Sequence, residues 1–330
     1  MSEPLVSVVL PVYNAADTLR RAAGSILDGT WQNLELIVVN DGSTDRSADA
    51  LPIDSRIRLI TQSHAGVASA MNRGVAEAKG EFIARMDADD FSYPERLQKQ
   101  IQLLQSEQLD IAGGLVRIVD GEGNSVPSMQ RYERWVNSCI THEEILSQRF
   151  IESPLVHPTI IAKHEVWKLG CRKGDFPEDY DLWLRALQAN YRAAKVPEVI
   201  LDWTDGKSRL TRTDERYSMD AFDSCRREHL LLGPLHNQTH CGLWGAGETG
   251  KGWLRWLQSS GLTIPYVVDV APKKIGKRIH NVEVISFKDL PESDGTTLLV
   301  AVGAEGAREK ILPALQDRGY ESGQNAWFVA

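Results

Sequence analysis

The sequence predicts an α/β protein with two domains, a larger one built on a mainly parallel sheet and a smaller one that follows it. Apolar, β-branched segments without polar alternation are typical of strands buried on both faces, and here they alternate with helical patterns. After Gly233-Pro234 the same alternation starts again at a glycine-rich turn. Because 330 residues exceed one ordinary core, we place the domains at residues 1–234 and 235–330.

The elements of the first domain follow from these patterns in chain order. Ser92 and Glu95 have the spacing of a capping box, with Pro94 near the first turn of a helix. Weak periodicity after the fifth strand indicates an insertion over the sheet edge at residues 120–149. The strands are expected at residues 5–12, 34–39, 56–61, 82–86, 111–119 and 160–162, and the helices at residues 15–27, 67–78, 95–107, 175–187 and 217–232.

Three carboxylates follow the fourth strand directly. Asp87, Asp89 and Asp90 end an apolar run, and ligands of α/β sheets bind at the carboxyl ends of the strands. Hard divalent cations take oxygen ligands, so this junction indicates a cation that holds a phosphorylated ligand. The alternative is a turn or a helix start, where aspartate is also favoured. The other loops expected at this edge are residues 11–14, 40–45 and 64–66.

Composition limits which classes of partner the protein can bind and indicates its cellular compartment. A net charge of -8, without a lysine or arginine run, argues against a nucleic-acid partner. The four cysteines are far apart and show no CxxC spacing, so we expect no structural zinc and a reducing cytoplasm. No apolar stretch approaches the roughly 20 residues that span a bilayer. We therefore expect a cytoplasmic protein, and a peripheral contact with the inner face of the membrane stays open.

Four segments, at residues 6–14, 39–45, 72–74 and 86–90, together resemble the family-two inverting glycosyltransferases. These are nucleotide-sugar enzymes with the A-type fold, whose sheet is mixed but mainly parallel. The resemblance covers about the first two hundred residues, and its specificity comes from the order and spacing of all four segments.

The resemblance implies a nucleoside pocket in the first domain. Pro11, Tyr13 and Asp41 would line it, with Asp41 as the partner of the base. Asn14 and Asn72 lie in the same matching segments and are expected to belong to the nucleotide-binding set.

The resemblance also implies a metal and a base. Asp87 would face the ribose or the metal, and Asp89 would be the main ligand of a Mn²⁺ or Mg²⁺ ion that bridges the donor diphosphate. Inversion needs a base on the opposite face of the sugar, and Glu178-Asp179 matches the family's Glu-Asp motif. Asp179 would be the base and Glu178 would support it or contact the acceptor. Acids are also favoured at a helix N-terminus, which is the alternative interpretation.

A segment after this helix carries a histidine or basic side chains to the diphosphate in many members of the family. Here residues 203–212 contain no histidine, so Lys207, Arg209 or Arg212 would serve instead as part of a closing lid. Solvated surface charge is the alternative.

The second domain begins with a glycine pattern. Gly245, Gly247 and Gly250 follow a short strand and precede a helix expected at residues 251–258, and a second strand ends in Asp269 near the spacing for a ribose contact. The segment resembles a small Rossmann-like module. It is too short for a complete dehydrogenase, so we expect a binding, regulatory or assembly domain that could hold a nucleotide.

These observations predict a metal-dependent inverting glycosyltransferase. Its donor would be a nucleotide-sugar, expected to be a UDP-sugar, and its acceptor a hydroxyl of a saccharide or lipid-linked molecule in surface glycan or glycolipid synthesis. Two alternatives stay open. One is an NAD(P)-dependent oxidoreductase centred on residues 245–269, and the other is a sugar-nucleotide-binding protein without turnover.

Overall fold

A computed structural model describes residues 3–206, 209–304 and 306–330, although it leaves the side chains of residues 210 and 211 undescribed. The contacts divide the chain into two compact units. The first contains Met1–Ile145 and Ser153–Cys225, and the second contains Leu146–Glu152 and Arg226–Ala330. The segment before Ser153 therefore belongs to the second unit. The division of the chain at residue 234 into two domains that fold independently stays a prediction.

The first unit is built on an eight-stranded mixed sheet with the order β3-β2-β1-β4-β7-β6-β8-β5. The first four strands in that order are parallel, β7 is antiparallel to both of its neighbours, β6 is parallel to β8, and β5 is antiparallel to β8. The strands are β1 (Val6–Val12), β2 (Leu34–Asn40), β3 (Ile57–Thr61), β4 (Phe82–Arg85), β5 (Phe91–Ser92), β6 (Ile111–Val119), β7 (Ile161–Lys163) and β8 (Ala193–Thr204).

Strand β8 was not expected, and its pairing explains why. Its register with β6 shifts on both sides of Leu115, which marks a bulge. Pro197, Glu198 and Val199 lie at this irregularity and are exposed, so the strand lacks a continuous apolar pattern. A proline in a strand argues against the assignment unless a bulge is present.

Within the described residues of this part of the chain, the helix that begins at Arg96 corrects a prediction. The capping box is wrong, because Ser92 lies in β5 and pairs with Leu201, and Glu95 makes no side-chain cap before the helix that begins at Arg96. The insertion contains two short helices, and Val136 of the first is fully buried. The helices are α1 (Leu19–Leu27), α2 (Val67–Glu77), α3 (Arg96–Ser106), α4 (Gln130–Ser138), α5 (His142–Gln148), α6 (His164–Trp167), α7 (Glu178–Gln188), α8 (Leu210–Thr213) and α9 (Met219–Leu232).

The second unit contains a six-stranded sheet with the order β11-β12-β10-β9-β13-β14, parallel except for the β11–β12 pair. This arrangement confirms a Rossmann-like module, and its first helix begins about one turn earlier than predicted. The elements are β9 (Gly242–Trp244), α10 (Glu248–Ser259), β10 (Val267–Asp269), β11 (Arg278–Ile279), β12 (Val282–Ser286), β13 (Leu298–Val300), α11 (Ala307–Gln316) and β14 (Ala326–Phe328).

Among the described residues, none of the helices combines the length and the apolar character that crossing a bilayer requires.

Candidate active site

The loops after β1 and β2 are joined by Asn14. Its side-chain oxygen accepts the backbone N–H of Thr44 at 2.8 Å, and its own N–H donates to Ser43 Oγ at 3.0 Å. Asn14 adopts a left-handed conformation with φ of +51°, which asparagine tolerates better than most residues. The structure therefore gives Asn14 a role in holding the two predicted nucleotide loops together. A direct contact between its side chain and a nucleotide stays a prediction.

Asp41 lies at the centre of these loops with only 3% of its surface exposed. Its carboxylate accepts the backbone N–H groups of Ala65 at 2.9 Å and Gly66 at 2.8 Å, and the side-chain amide of Gln62 at 2.7 Å. The imidazole of His64 lies 2.9 Å from the same carboxylate. Asp41 thus connects the loop after β2 to the loop that leads into α2.

Tyr13 packs face to face on His64, with ring centroids 4.1 Å apart and an angle of 29° between the rings. Tyr13 is 48% exposed and Pro11 is half-buried beside it in the chain. The aromatic pair is the exposed side of the predicted nucleoside pocket, and Asp41 is its buried side.

Asn72 points to a different part of the chain. Its amide donates to the carbonyl oxygen of Cys171 and accepts the N–H of Cys171, both at 2.8 Å. The side chain therefore holds the segment before α7 against α2. Its assignment to the nucleotide stays a prediction.

The acids after β4 form a crowded group. The Thr204 N–H donates to Asp90 Oδ1 at 2.8 Å, and Asp90 Oδ2 is buried without a hydrogen-bond partner among the described residues. Burial, followed by repulsion from Asp87, raises the pKa of Asp89 to about 6. Burial and the two neighbouring acids raise the pKa of Asp90 well above its usual range. The surrounding protein therefore disfavours the ionised forms of Asp89 and Asp90, whereas Asp87 is paired with Arg85.

This chemistry fits a divalent cation. No side chain in the described part of the chain donates a hydrogen bond to the Asp89 carboxylate, and Asp87 uses one oxygen for Arg85 at 2.7 Å. Carboxylate oxygens are the donors that Mg²⁺ and Mn²⁺ prefer. Asp87 and Asp89 are the residues that would hold such an ion, and its charge would relieve the repulsion among the acids.

A second acidic group begins helix α7. Glu178 is 3% exposed and accepts a hydrogen bond from the Tyr217 hydroxyl at 2.6 Å. Asp179 accepts the N–H of Tyr180 at 2.8 Å. Burial, followed by the charge of Glu178, raises the pKa of Asp179 to about 7. A carboxyl that titrates near neutral pH suits proton transfer at physiological pH.

Arg85 is a site residue that the sequence predictions missed. It lies at the end of β4 with 5% exposure, and its Nη1 is buried without a hydrogen-bond partner among the described residues. Its charge attracts Asp87 and opposes the rise in the pKa of Asp179, so it lies within electrostatic reach of both acidic groups. An arginine in an otherwise apolar strand was the available signal, because buried arginine is rare without a partner.

The segment after β8 lies beside the acids of β4. The Thr204 hydroxyl donates to the Asp89 carbonyl oxygen at 2.7 Å, and the Arg209 guanidinium lies 3.8 Å from the centre of the Trp203 ring. Arg209 also pairs with Asp205 at 3.6 Å, and its charge lowers the pKa of Asp89.

The other two basic residues that were predicted to contact the diphosphate from this segment are Arg212 and Lys207. Arg212 forms an ion pair with Asp205, which joins it to the pair made by Arg209. Lys207 lies outside the described residues.

Two of the three glycines in the turn between β9 and α10, Gly245 and Gly250, are required by backbone conformation and close packing. Gly245 has a φ of +123°, and a Cβ on Gly250 would lie 1.8 Å from the Gly245 carbonyl oxygen. Gly247 directly precedes α10 and would meet no heavy atom within 4 Å. The turn between β9 and α10 therefore has the compact backbone that the glycine pattern predicts.

Asp269 is fully engaged within the second unit. Its carboxylate accepts the N–H groups of Ala246 and Ala271, both at 2.8 Å, and the amine of Lys274 at 3.0 Å. Burial alone would raise the pKa of Asp269, but these hydrogen bonds outweigh burial and hold it below its usual value. Asp269 therefore holds the glycine-rich turn in place. A ligand contact by Asp269 stays a prediction.

Comparisons with known families agree with these two units. Residues 7–169 match the family described as glycosyl transferase family 2, and residues 236–320 match the family described as CoA binding domain.

The relatives are bacterial proteins named as glycosyltransferases. EpsE of Bacillus subtilis (strain 168) is 29% identical over 70% of this chain and 85% of its own length. A glycosyltransferase of Haemophilus influenzae is 33% identical over 58% of this chain and 64% of its own length. A relative from Rickettsia felis is matched over only 32% of its length, so that relative extends well beyond the matching part.

A solved structure shares the fold. The fragment 1–349 of S. aureus TarS, crystallised with UDP-GlcNAc, superposes with a TM-score of 0.53 at 17% identity, over 69% of this chain and 67% of the fragment. The predicted A-type fold and the predicted family are confirmed by these findings. The first unit therefore carries a glycosyl transferase family 2 domain at residues 7–169, and the second unit is a Rossmann-like domain.

Proposed function

We propose that the chain is an inverting, metal-assisted transferase that moves a sugar from a UDP-sugar to an acceptor hydroxyl. The observation that carries this proposal is the pair of separate acidic groups. One follows β4 and contains Asp89, whose pKa is raised to about 6 by burial and by Asp87, and the other begins α7 with Asp179, whose pKa is raised to about 7 by burial and by Glu178.

Asp179 supplies the base in this proposal. At neutral pH a large fraction of this carboxyl is ionised, because its pKa lies near 7. It removes the proton from the acceptor hydroxyl while the acceptor oxygen attacks the anomeric carbon. The bond between that carbon and the diphosphate oxygen breaks, and the proton stays on Asp179. A single displacement of this kind inverts the anomeric centre.

Glu178 and Tyr217 hold the base in position. The Tyr217 hydroxyl donates to the buried Glu178 carboxylate, which keeps that carboxylate oriented at the start of the helix. The negative charge of Glu178 in turn raises the pKa of its neighbour Asp179. Burial and the Glu178 charge also raise the pKa of Tyr217, so the tyrosine stays neutral and acts as a donor.

The leaving group is proposed to bind on the other side of the site. Asp87 and Asp89 would hold Mn²⁺ or Mg²⁺, which when bound neutralises charge on the departing nucleoside diphosphate. Arg209 adds positive charge next to these acids, as its effect on the pKa of Asp89 indicates. Tyr13 and Asp41 would take the base of the nucleotide. The UDP-GlcNAc complex of the TarS fragment, which shares the fold, supports a UDP-sugar donor.

The acceptor is proposed to be a saccharide or a lipid-linked saccharide of a surface glycan. The net charge of -8 makes a nucleic-acid acceptor unfavourable. A role at the inner face of a membrane belongs to the same proposal.

The test is a donor screen with the full chain. UDP-glucose, UDP-galactose, UDP-N-acetylglucosamine and GDP-mannose are each incubated with Mn²⁺ or with EDTA, and release of the nucleoside diphosphate is measured. We expect release from a UDP-sugar that needs Mn²⁺ and increases with a hydroxyl acceptor, and NMR of the product should show an inverted anomeric centre. Retention of configuration, or equal rates in EDTA, would contradict the mechanism. Preference for GDP-mannose would contradict the donor class alone.

A further inference from the structure

The imidazole of His64 makes two contacts that a nucleobase would make in the same place. Its face stacks on Tyr13 with the ring centroids 4.1 Å apart. Its Nδ1 lies 2.9 Å from Asp41 Oδ2 and 3.1 Å from the Asp41 carbonyl oxygen, and because both oxygens only accept hydrogen bonds, Nδ1 carries the proton. Tyr13 and Asp41 are also the residues assigned to the base of the donor. His64 and a bound base therefore need the same partners.

The hydrogen bonds of Asp41 show that both cannot bind at once. An ionised carboxylate has about four lone-pair sites. Oδ1 accepts from Gln62 and Ala65, and Oδ2 accepts from Gly66. The His64 Nδ1 makes its hydrogen bond to the Asp41 backbone carbonyl oxygen at 3.1 Å, but it also lies 2.9 Å from Oδ2 and so occupies the remaining approach to the carboxylate. A base that donates its ring N–H to the Asp41 carboxylate must therefore displace one of these four groups.

His64 is the donor that can leave most easily. Ala65 and Gly66 donate from the backbone, so they leave only if the loop unfolds. Gln62 is half-buried, whereas the His64 side chain is 56% exposed. The backbone of His64 packs closely against Gly42, because a Cβ on Gly42 would lie 2.8 Å from the His64 nitrogen. Release of the imidazole therefore needs only a side-chain rotation.

The stacking geometry excludes an inserted base as well. Tyr13 and His64 are already in van der Waals contact at a centroid distance of 4.1 Å, so no third ring fits between them. A base that stacks on this face of Tyr13 must take the position of the imidazole.

We propose that His64 is a built-in competitor for the nucleobase position, and that the donor binds when its base displaces the imidazole from Tyr13 and Asp41. This inference rests on the proposed function, since it takes Tyr13 and Asp41 as the base contacts. We call the state in which the imidazole has left Tyr13 and Asp41 the open state. If the nucleotide binds only this state, its apparent affinity equals its intrinsic affinity multiplied by the fraction of molecules in the open state.

The test compares UDP binding by the wild-type full chain and by His64→Ala, using calorimetry in the presence of Mn²⁺. If the imidazole holds the position in about nine molecules of ten, His64→Ala binds UDP about tenfold more tightly. Inorganic pyrophosphate is the matched probe, because it has no base. Its affinity should be the same in both proteins.

Two further variants and one direct measurement keep the result interpretable. Ser63→Ala, at an exposed neighbour on the same loop, should bind UDP like the wild type, and His64→Phe, which keeps a stacked ring but has no N–H, should show a smaller gain than His64→Ala. In the wild type, saturation with UDP should move the ring-proton resonances of His64, since the imidazole leaves the ring current of Tyr13.

The outcomes separate the two levels of the proposal. Unchanged or weaker UDP binding in His64→Ala, with normal binding in the wild type, would overturn the role of His64 alone. A wild-type chain that binds neither UDP nor GDP would overturn the proposed function together with this inference.

Discussion

Both units place a carboxylate at the carboxyl end of a parallel strand, yet the two environments are opposite. In the second unit Asp269 ends β10, and three hydrogen bonds hold its pKa below the usual value against the effect of burial. In the first unit Asp89 follows β4, and burial together with Asp87 raises its pKa to about 6. The same sequence pattern therefore produces a carboxylate whose ionised form is stabilised in one unit and a carboxylate whose ionised form is destabilised in the other.

The difference separates acids that stabilise a fold from acids that are available to a ligand. A carboxylate with a lowered pKa stabilises the folded state at neutral pH, whereas one with a raised pKa destabilises it. Raised pKa values cluster at functional sites, because the unsatisfied charge is what a cation or a substrate proton relieves. Four substitutions test this distinction, from the largest expected effect to the smallest.

Asp179→Asn should have the largest effect. Removal of a general base lowers kcat by about 10³-fold, within the range typical of such catalysis. The free energy of unfolding at pH 8 should rise by about 1–2 kcal/mol, because a buried charge is removed. Steady-state kinetics and denaturant titration measure the two effects. UDP affinity with Mn²⁺ should not change, and a large loss of that affinity would place Asp179 on the donor side instead.

Asp89→Asn should act on the donor side. We expect a loss of activity of about 10²-fold or more and a higher Mn²⁺ requirement, because one of the two proposed metal ligands is lost. Mn²⁺ titration of UDP binding by calorimetry measures the change. Asp17→Asn, at an exposed acid of the same unit, is the matched control. An unchanged Mn²⁺ requirement in Asp89→Asn would move the metal away from these acids.

The pH dependence of kcat/KM should report the ionisation of Asp179 and the effect of Arg85 on it. Because burial and Glu178 raise the pKa of Asp179 to about 7, the base form is lost below that pH, and kcat/KM should rise through an apparent pKa near 7. Arg85→Met removes the cation that opposes this rise, so the apparent pKa should increase by about one unit.

Arg85→Lys is the control for this shift. It keeps the positive charge, so its pH profile should return toward that of the wild type. If the apparent pKa of kcat/KM is unchanged in a folded Arg85→Met variant, Arg85 acts on Asp87 and not on Asp179.

Asp269→Asn should have the smallest effect. Loss of the ion pair with Lys274 should lower the stability of the second unit by about 1–2 kcal/mol at neutral pH. The wild-type contribution is present above the usual aspartate pKa and is lost as the pH falls through the lowered folded value. Thermal unfolding at pH 7 and pH 3 measures this, with Glu292→Gln at an exposed acid as control. If Asp269→Asn is more stable than the wild type, the ionised carboxylate does not stabilise the second unit, and the contrast between Asp269 and Asp89 does not hold.

Much of the fold could be predicted because its strands are buried on both faces. β1 and β2 appear in the sequence as continuous apolar runs, and their order places the functional loops at one edge of the sheet. β8 could not be predicted, since the bulge near Leu115 interrupts its pattern.

The types of residue in the candidate site could be predicted from the sequence, but most of the contacts between them could not. The acids were identified from motifs, but the Tyr217 hydroxyl reaches Glu178 from a part of the chain whose spacing carries no pattern. The donors to the Asp41 carboxylate include two backbone N–H groups, and no sequence motif reports where backbone groups point. Arg85 had a visible signal, a charge within an apolar strand.

Asn72 imposes a strict chemical requirement on its position. It gives one hydrogen bond to Cys171 and receives one from the same residue, so it needs a donor and an acceptor on one short side chain. Aspartate would set an oxygen against the Cys171 carbonyl, leucine would leave both backbone groups unpaired, and glutamine would be too long by one methylene. In a survey of all nineteen replacements, this position should therefore tolerate none of them well, and its intolerance would reflect the connection between α2 and the segment before α7 rather than a contact with substrate.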